Sequence, residues 1–112
     1  MIEEIIRNYL TDAGFAAYME IPEGGGTPPY VIIERTGGGE ENQICTATVA
    51  IQCYGSSLYA AALLCEQVKD AMKAITERPE VSACELNSAY NFTDQTKKQY
   101  RYQAVYSLVY YD

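Results

Sequence analysis

The chain has 112 residues, enough for one domain with a sizeable core, and 48% of them are hydrophobic, which excludes global disorder. A formal net charge of −7 argues against a sequence-specific nucleic-acid binder and against docking on anionic membranes. There is no His and no Trp, while 11 residues are Tyr, a side chain whose apolar ring and polar tip suit half-buried surfaces and interfaces.

The predicted elements begin with an amphipathic helix over residues 2–13. Ile2, Ile5, Ile6, Tyr9 and Leu10 recur at spacings of three and four and share one stripe. Glu3 and Glu4 in the first turn complement the helix dipole, and Gly14 is suited to end the helix. The start MIEEIIRNYL lacks the basic head and apolar core of a signal peptide. A short strand, Phe15–Ile21, is expected next, closed by Pro22 and the run EGGGTPP.

YVIIER (Tyr30–Arg35) reads as a β-branched strand, and TGGGEENQ (Thr36–Gln43) as a flexible hairpin loop. Ile44–Tyr54 alternates strictly. Cys45, Ala47, Val49, Ile51 and Cys53 make its apolar face and Thr46, Thr48 and Gln52 its polar one, as expected of a strand lying under a helix layer. Gly55 ends it, and Ser56 or Ser57 can cap the following helix, Leu58–Ile75. Ala61, Leu64, Cys65, Val68, Met72 and Ile75 form the inward stripe of that helix, and Pro79 stops the chain from continuing it.

Val81–Asn91 is a third long strand, Phe92–Lys98 a polar turn, and Gln99–Tyr111 the last strand, hairpin-paired with Val81–Asn91. This last strand is apolar on both sides. Tyr100, Tyr102, Ala104, Tyr106, Leu108 and Tyr110 lie on one face, and Val105, Val109 and Tyr111 on the other. A strand in a small monomer usually keeps one wet face, so part of the covering is expected from another molecule. The order of elements predicts a single α+β domain over residues 1–112, with one mostly antiparallel sheet of about five strands and two helices packed on one face.

Catalytic and ligand motifs are missing. The triplets Gly24–Gly26 and Gly37–Gly39 have neither the Lys nor the following helix of a phosphate loop. The carboxylates Glu34, Glu3/Glu4 and Glu40/Glu41 read as solvated surface. Cys45 and Cys53 are eight residues apart on one strand, roughly 26 Å when extended, too far to bridge each other. With no CxxC and no His, a zinc site is not expected, nor is a Cys nucleophile activated by His. The four cysteines, with Cys65 and Cys84, read as reduced thiols, mostly buried. The expectation is a non-enzyme with no cofactor and no metal. Lys97, Lys98 and Arg101 form one small basic patch, too small to offset the acidic balance.

Taken together, the initial helix, the strand pair PPYVIIERTGGGEEN and ICTATVAIQCYG, the helix SSLYAAALLCEQVKDAMKAI and the final strands ending in RYQAVYSLVYY resemble a known layout. It is that of the small tail-terminator and minor tail proteins of long-tailed phages and prophages. In such proteins a strand of the type T-V-x-I-x-C-Y-G/A runs into a Ser-capped helix, as Thr48–Ser57 does here. The resemblance implies a homo-oligomeric ring, commonly a hexamer. It would be made in the host bacterial cytoplasm and built into the virion, where it caps the tail tube and meets the head-completion protein. The candidate interface residues are Tyr100, Tyr102, Tyr106 and Tyr110 on the last strand, and Glu40 and Glu41 in the expected loop, which would project toward the lumen or a neighbour. The alternatives are a tail-tube or head–tail joining subunit, or a small cytoplasmic ligand-binding or regulatory domain.

Overall fold

The computed structural model describes residues 1–111; Asp112, inside the predicted domain, lies outside the described residues. The elements are α1 (Ile2–Asp12), β1 (Ala17–Tyr18), β2 (Tyr30–Glu41), β3 (Ile44–Gly55), α2 (Leu58–Met72), β4 (Val81–Asn91) and β5 (Tyr100–Tyr110), with a 3-10 turn at Ile75–Glu77. They form one five-stranded sheet in the order β1-β2-β3-β5-β4, antiparallel except for the parallel β1–β2 pair. Both helices cover the same face. This is the α+β architecture expected from the sequence.

The apolar stripes dictate the layering. Ile2, Ile6 and Leu10 of α1 are fully buried, as are Ala61 and Val68 of α2, against Val31, Ile33, Val49, Ile51 and Leu108 of the sheet. The helix N-terminus of α2 is fixed by Ser57, whose hydroxyl accepts a hydrogen bond from the Ala60 amide at 3.1 Å. Ser57→Ala is expected to destabilise the domain by about 1 kcal/mol, read as a lower denaturation midpoint at unchanged slope. The two helices are tied where Tyr9 Oη donates to the Ala71 carbonyl. Arg78 reinforces the joint: it pairs with Asp12 at 2.6 Å and lies 5.5 Å from the Tyr9 ring centre.

Two local expectations are corrected. The strand expected over Phe15–Ile21 is only Ala17–Tyr18, because β2 offers it partners only at Val31 and Ile32 and the chain then turns away through Pro22 and the glycines. The loop expected over Thr36–Gln43 is mostly strand. β2 runs through Gly37–Gly39 to Glu41, paired with Ile44–Thr48, after a bulge at Thr36. The turn shrinks to Asn42 and Gln43, both at positive φ (52° and 67°), as a tight two-residue hairpin connection requires. Gly38 has φ +136°, and a Cβ there would press on the Thr46 carbonyl and lie 2.8 Å from Ala47 Cα. At that position glycine lets the two strands close rather than loosening them.

The sheet leaves two lateral edges. Beyond Ile32 the outer side of β2 has no neighbour among the described residues, and β4 is the other edge. β4 is interrupted by bulges at Ser82 and Asn87. Both bulged side chains bond back into the sheet, Ser82 Oγ to the Val109 carbonyl at 3.2 Å and Asn87 Nδ2 to Ser107 Oγ at 2.7 Å. Bulges of this kind limit indiscriminate edge-to-edge pairing.

Candidate functional site

Pairing register decides which side chains reach the second, helix-free face. Tyr30 and Ile32 of β2, Ile44, Thr46, Thr48, Ala50, Gln52 and Tyr54 of β3, and Arg101, Gln103, Val105, Ser107 and Val109 of β5 all point there, since cross-strand partners share a face. Toward the hairpin tip the face is small and mixed, with Ile44 exposed and Val105 and Val109 half-buried. Toward the other end it is aromatic and locked.

The lock is a directional chain of hydrogen bonds. Arg101 Nη1 donates to Tyr54 Oη (2.9 Å), and Tyr54 Oη donates to Gln52 Oε1 (3.2 Å). Gln52 Nε2 donates to Gln103 Oε1 (3.0 Å), and Gln103 Nε2 to Tyr90 Oη (2.6 Å). Arg101 also donates from Nε to the Phe92 carbonyl at 2.7 Å and sits 4.6 Å from the Phe92 ring centre. Tyr30 stacks on Tyr54 at 4.7 Å, and Tyr18 meets Tyr30 edge-on. Side chains of all five strands are thereby joined on a face that no helix covers. Burial raises the Tyr30 phenol above its ordinary value, and the Tyr54 phenol beside it adds to the shift. Tyr30 therefore stays a neutral donor, and its hydroxyl bonds to the Gly25 carbonyl at 3.3 Å.

Every link uses a donor and an acceptor already committed, which fixes rotamers before any partner arrives. Pre-ordered side chains cost less to immobilise on binding, so the arrangement suits recognition by contact. Among the described residues, no group of three or more His, Cys, Asp or Glu side chains is placed to hold a metal ion. No helix among the described residues is long and apolar enough to cross a membrane.

The residues predicted at an interface separate into two groups. Tyr100, Tyr102, Tyr106 and Tyr110 lie on the helix-covered face. Tyr106 and Tyr110 are each 3% exposed and belong to the core, and Tyr100 and Tyr102 are half-buried at one end of β5. The expectation that these tyrosines meet a partner is corrected for Tyr106 and Tyr110: α2 already covers them. Glu40 and Glu41 are exposed at the tip of the β2–β3 hairpin, in strand rather than in loop. Glu40→Ala combined with Glu41→Ala is expected to leave folding stability within about 0.5 kcal/mol of the parent, checked by thermal denaturation.

Sequence reasoning missed Gln52, Gln103, Tyr54, Tyr90 and Arg101 as one group. The available signal was the position of Gln52 on the polar face of β3 and of Arg101 and Gln103 on the less apolar face of β5. Their meeting depends on the Gln52↔Gln103 register, which no local pattern specifies. In comparisons with protein-family models and with curated proteins, nothing matches this chain.

Proposed function

We propose that the protein is a non-catalytic structural subunit of a long-tailed phage or prophage particle. It would act as a tail terminator that assembles into a ring on the end of the tail tube, with the head-completion protein on its far side. The observation that carries this reading is the helix-free face of the sheet, hydrogen-bonded across β3, β5 and β4, joined by ring contacts to β2 and β1, and left without a covering layer. A domain of this size has little reason to pre-order such a face unless another surface rests on it. The acidic charge fits a ring whose lumen passes DNA without holding it. In this reading the protein works by complementarity: one ring face matches the last tube ring, and the other does not template a further one.

Self-association carries a signature set by charge. Subunits of net charge −7 repel one another, and that repulsion is screened as the Debye length falls from about 30 Å at 0.01 M salt to about 8 Å at 0.15 M. Sedimentation velocity at high protein concentration is therefore expected to show larger species as salt rises across that range. A single monomeric boundary at every salt concentration would count against the ring.

A further inference from the structure

The molecule is elongated, 44 × 26 × 25 Å, and its two ends differ in charge. β3 runs from the β2–β3 hairpin tip to the far end of the sheet, where Gly55 pairs with Tyr100. At the tip, Glu40 and Glu41 are exposed and make no ion pair among the described residues. The β4–β5 turn at the far end carries Lys97 and Lys98. Of the eight Lys and Arg side chains, four pair with carboxylates, and Arg35 and Arg101 donate to backbone carbonyls. Lys97 and Lys98 are the two whose side chains have no partner among the described residues, and they are adjacent and exposed. The acid of their own turn, Asp94, accepts from the amides of Thr96 and Lys97. Beside Lys98 lies a cleft of about 370 Å3, lined by Tyr30, Tyr54 and Gly25 at the aromatic end of the helix-free face. It is preformed: Tyr30 stacks on Tyr54, and its hydroxyl ties the glycine wall through the Gly25 carbonyl. α2 begins at the same end with no acid in its first turn, so its dipole adds to the positive sign there.

We infer that the hairpin tip of a second copy docks at this cleft, with its Glu40 and Glu41 against Lys97 and Lys98. Charge complementarity selects the occupant: the unpaired carboxylates of the tip meet the only two unpaired ammonium groups among the described residues, at the opposite end of the same chain. Shape agrees. The tip is a narrow two-residue turn at Asn42 and Gln43, and the cleft has room for the side chains of a turn rather than for a whole element. Ile44, 48% exposed beside that turn, gives the tip an apolar side chain for the aromatic lining. The contact joins two different surfaces, so it is heterologous and closes into a ring when successive rotations close. Ion pairs shielded within a contact are screened less than the general repulsion between subunits, so the docking persists at the moderate salt where assembly is expected. This inference rests on the reading that copies meet through the helix-free face, and it names what reaches the aromatic end of that face.

The test is charge reversal read by sedimentation velocity at fixed moderate salt. One variant carries Glu40→Lys with Glu41→Lys, the other Lys97→Glu with Lys98→Glu. All four positions are exposed, so both variants should melt as the parent does. Each alone is expected to self-associate at least about tenfold more weakly than the parent, because reversal puts like charges in contact. An equimolar mixture should regain the parent's assembly, since each reversed tip then finds a cleft of opposite sign. Net charge predicts otherwise: the first variant adds four positive charges to a chain of −7, and general repulsion alone would make it assemble more tightly than the parent. Reversed variants that assemble as well as the parent, or a mixture no better than its components, overturn the docking and leave contact through the face standing. A parent and a mixture that both stay monomeric at the highest attainable concentration overturn the two together.

Discussion

Val49→Asp is expected to abolish folding. Val49 is fully buried on β3, flanked in register by Arg35 of β2 and Tyr106 of β5, on the face that both helices cover. A carboxylate there would be out of reach of water, and its cross-strand neighbour Arg35 is exposed with its Nε already donating to the Gly37 carbonyl. Burying an unpaired charge costs several kcal/mol even after relaxation, a large part of the about 5–15 kcal/mol that holds a domain together. Ile51, equally buried two residues on, should behave the same way when changed to Asp. Far-UV circular dichroism of refolded material reads the result directly. Thr46→Asp on the opposite face of the same strand is the control. Thr46 is exposed, and this variant should fold with a normal unfolding transition.

Gly55→Ala should also be severely destabilising, for a reason of contact rather than charge. Gly55 closes β3 opposite Tyr100, where the chain turns into α2. A Cβ at that position would press on the Ala61 amide nitrogen and lie 2.8 Å from both the Ala60 carbonyl carbon and Ala61 Cα. These are backbone atoms in the first turn of α2, so no side-chain rotation relieves the contact. The whole helix must lift from β3 and β5, which loosens Ala61, Leu64 and Cys65 from the core. Overpacking of a core typically costs about 1–3 kcal/mol and more where backbone must move. The expected result is a drop in the urea midpoint well beyond that of Ser57→Ala. A Gly55→Ala variant as stable as the parent would mean that α2 approaches the sheet less closely than described.

These two sites also show what could be read before the structure. Val49 and Ile51 were legible because strict alternation along Ile44–Tyr54 assigns a face to every residue with no long-range information. α1 and α2 were legible for the same reason at helical period, though Ile75 falls in a 3-10 turn after α2 rather than in the helix. Gly55 was legible as a strand end, while the nearness of Ala60 and Ala61 required the helix to be in place. The triplet Gly37–Gly39 misled, since glycine that permits a loop equally permits a bulged strand held by a partner, here Thr46–Thr48.

The last strand has the two apolar sides expected of it, and the structure puts Tyr106 and Tyr110, named from the sequence as interface candidates, in the core. Its tyrosines outweigh its valines in size, yet α2 lies over Tyr106 and Tyr110 and leaves Val105 and Val109 on the helix-free face. The tyrosines join the apolar face of β3 under the helices through the register Val49↔Tyr106 and Cys45↔Tyr110, which no local pattern specifies. The five-strand lock depends on the same long-range placement. Gln52 and Gln103 are 51 positions apart in the chain and meet only because β5 inserts between β3 and β4.

The central claim is that the helix-free face is where this protein meets its own copies. Sedimentation equilibrium of the parent and of a Val105→Glu, Val109→Glu double variant tests it most directly. Both valines are half-buried on that face and outside the hydrogen-bonded chain, so the variant should fold with a nearly unchanged melting temperature. The account predicts a defined oligomer for the parent at moderate salt and a monomer for the variant. A parent that stays monomeric at its highest attainable concentration, or a variant that assembles as the parent does, would contradict it.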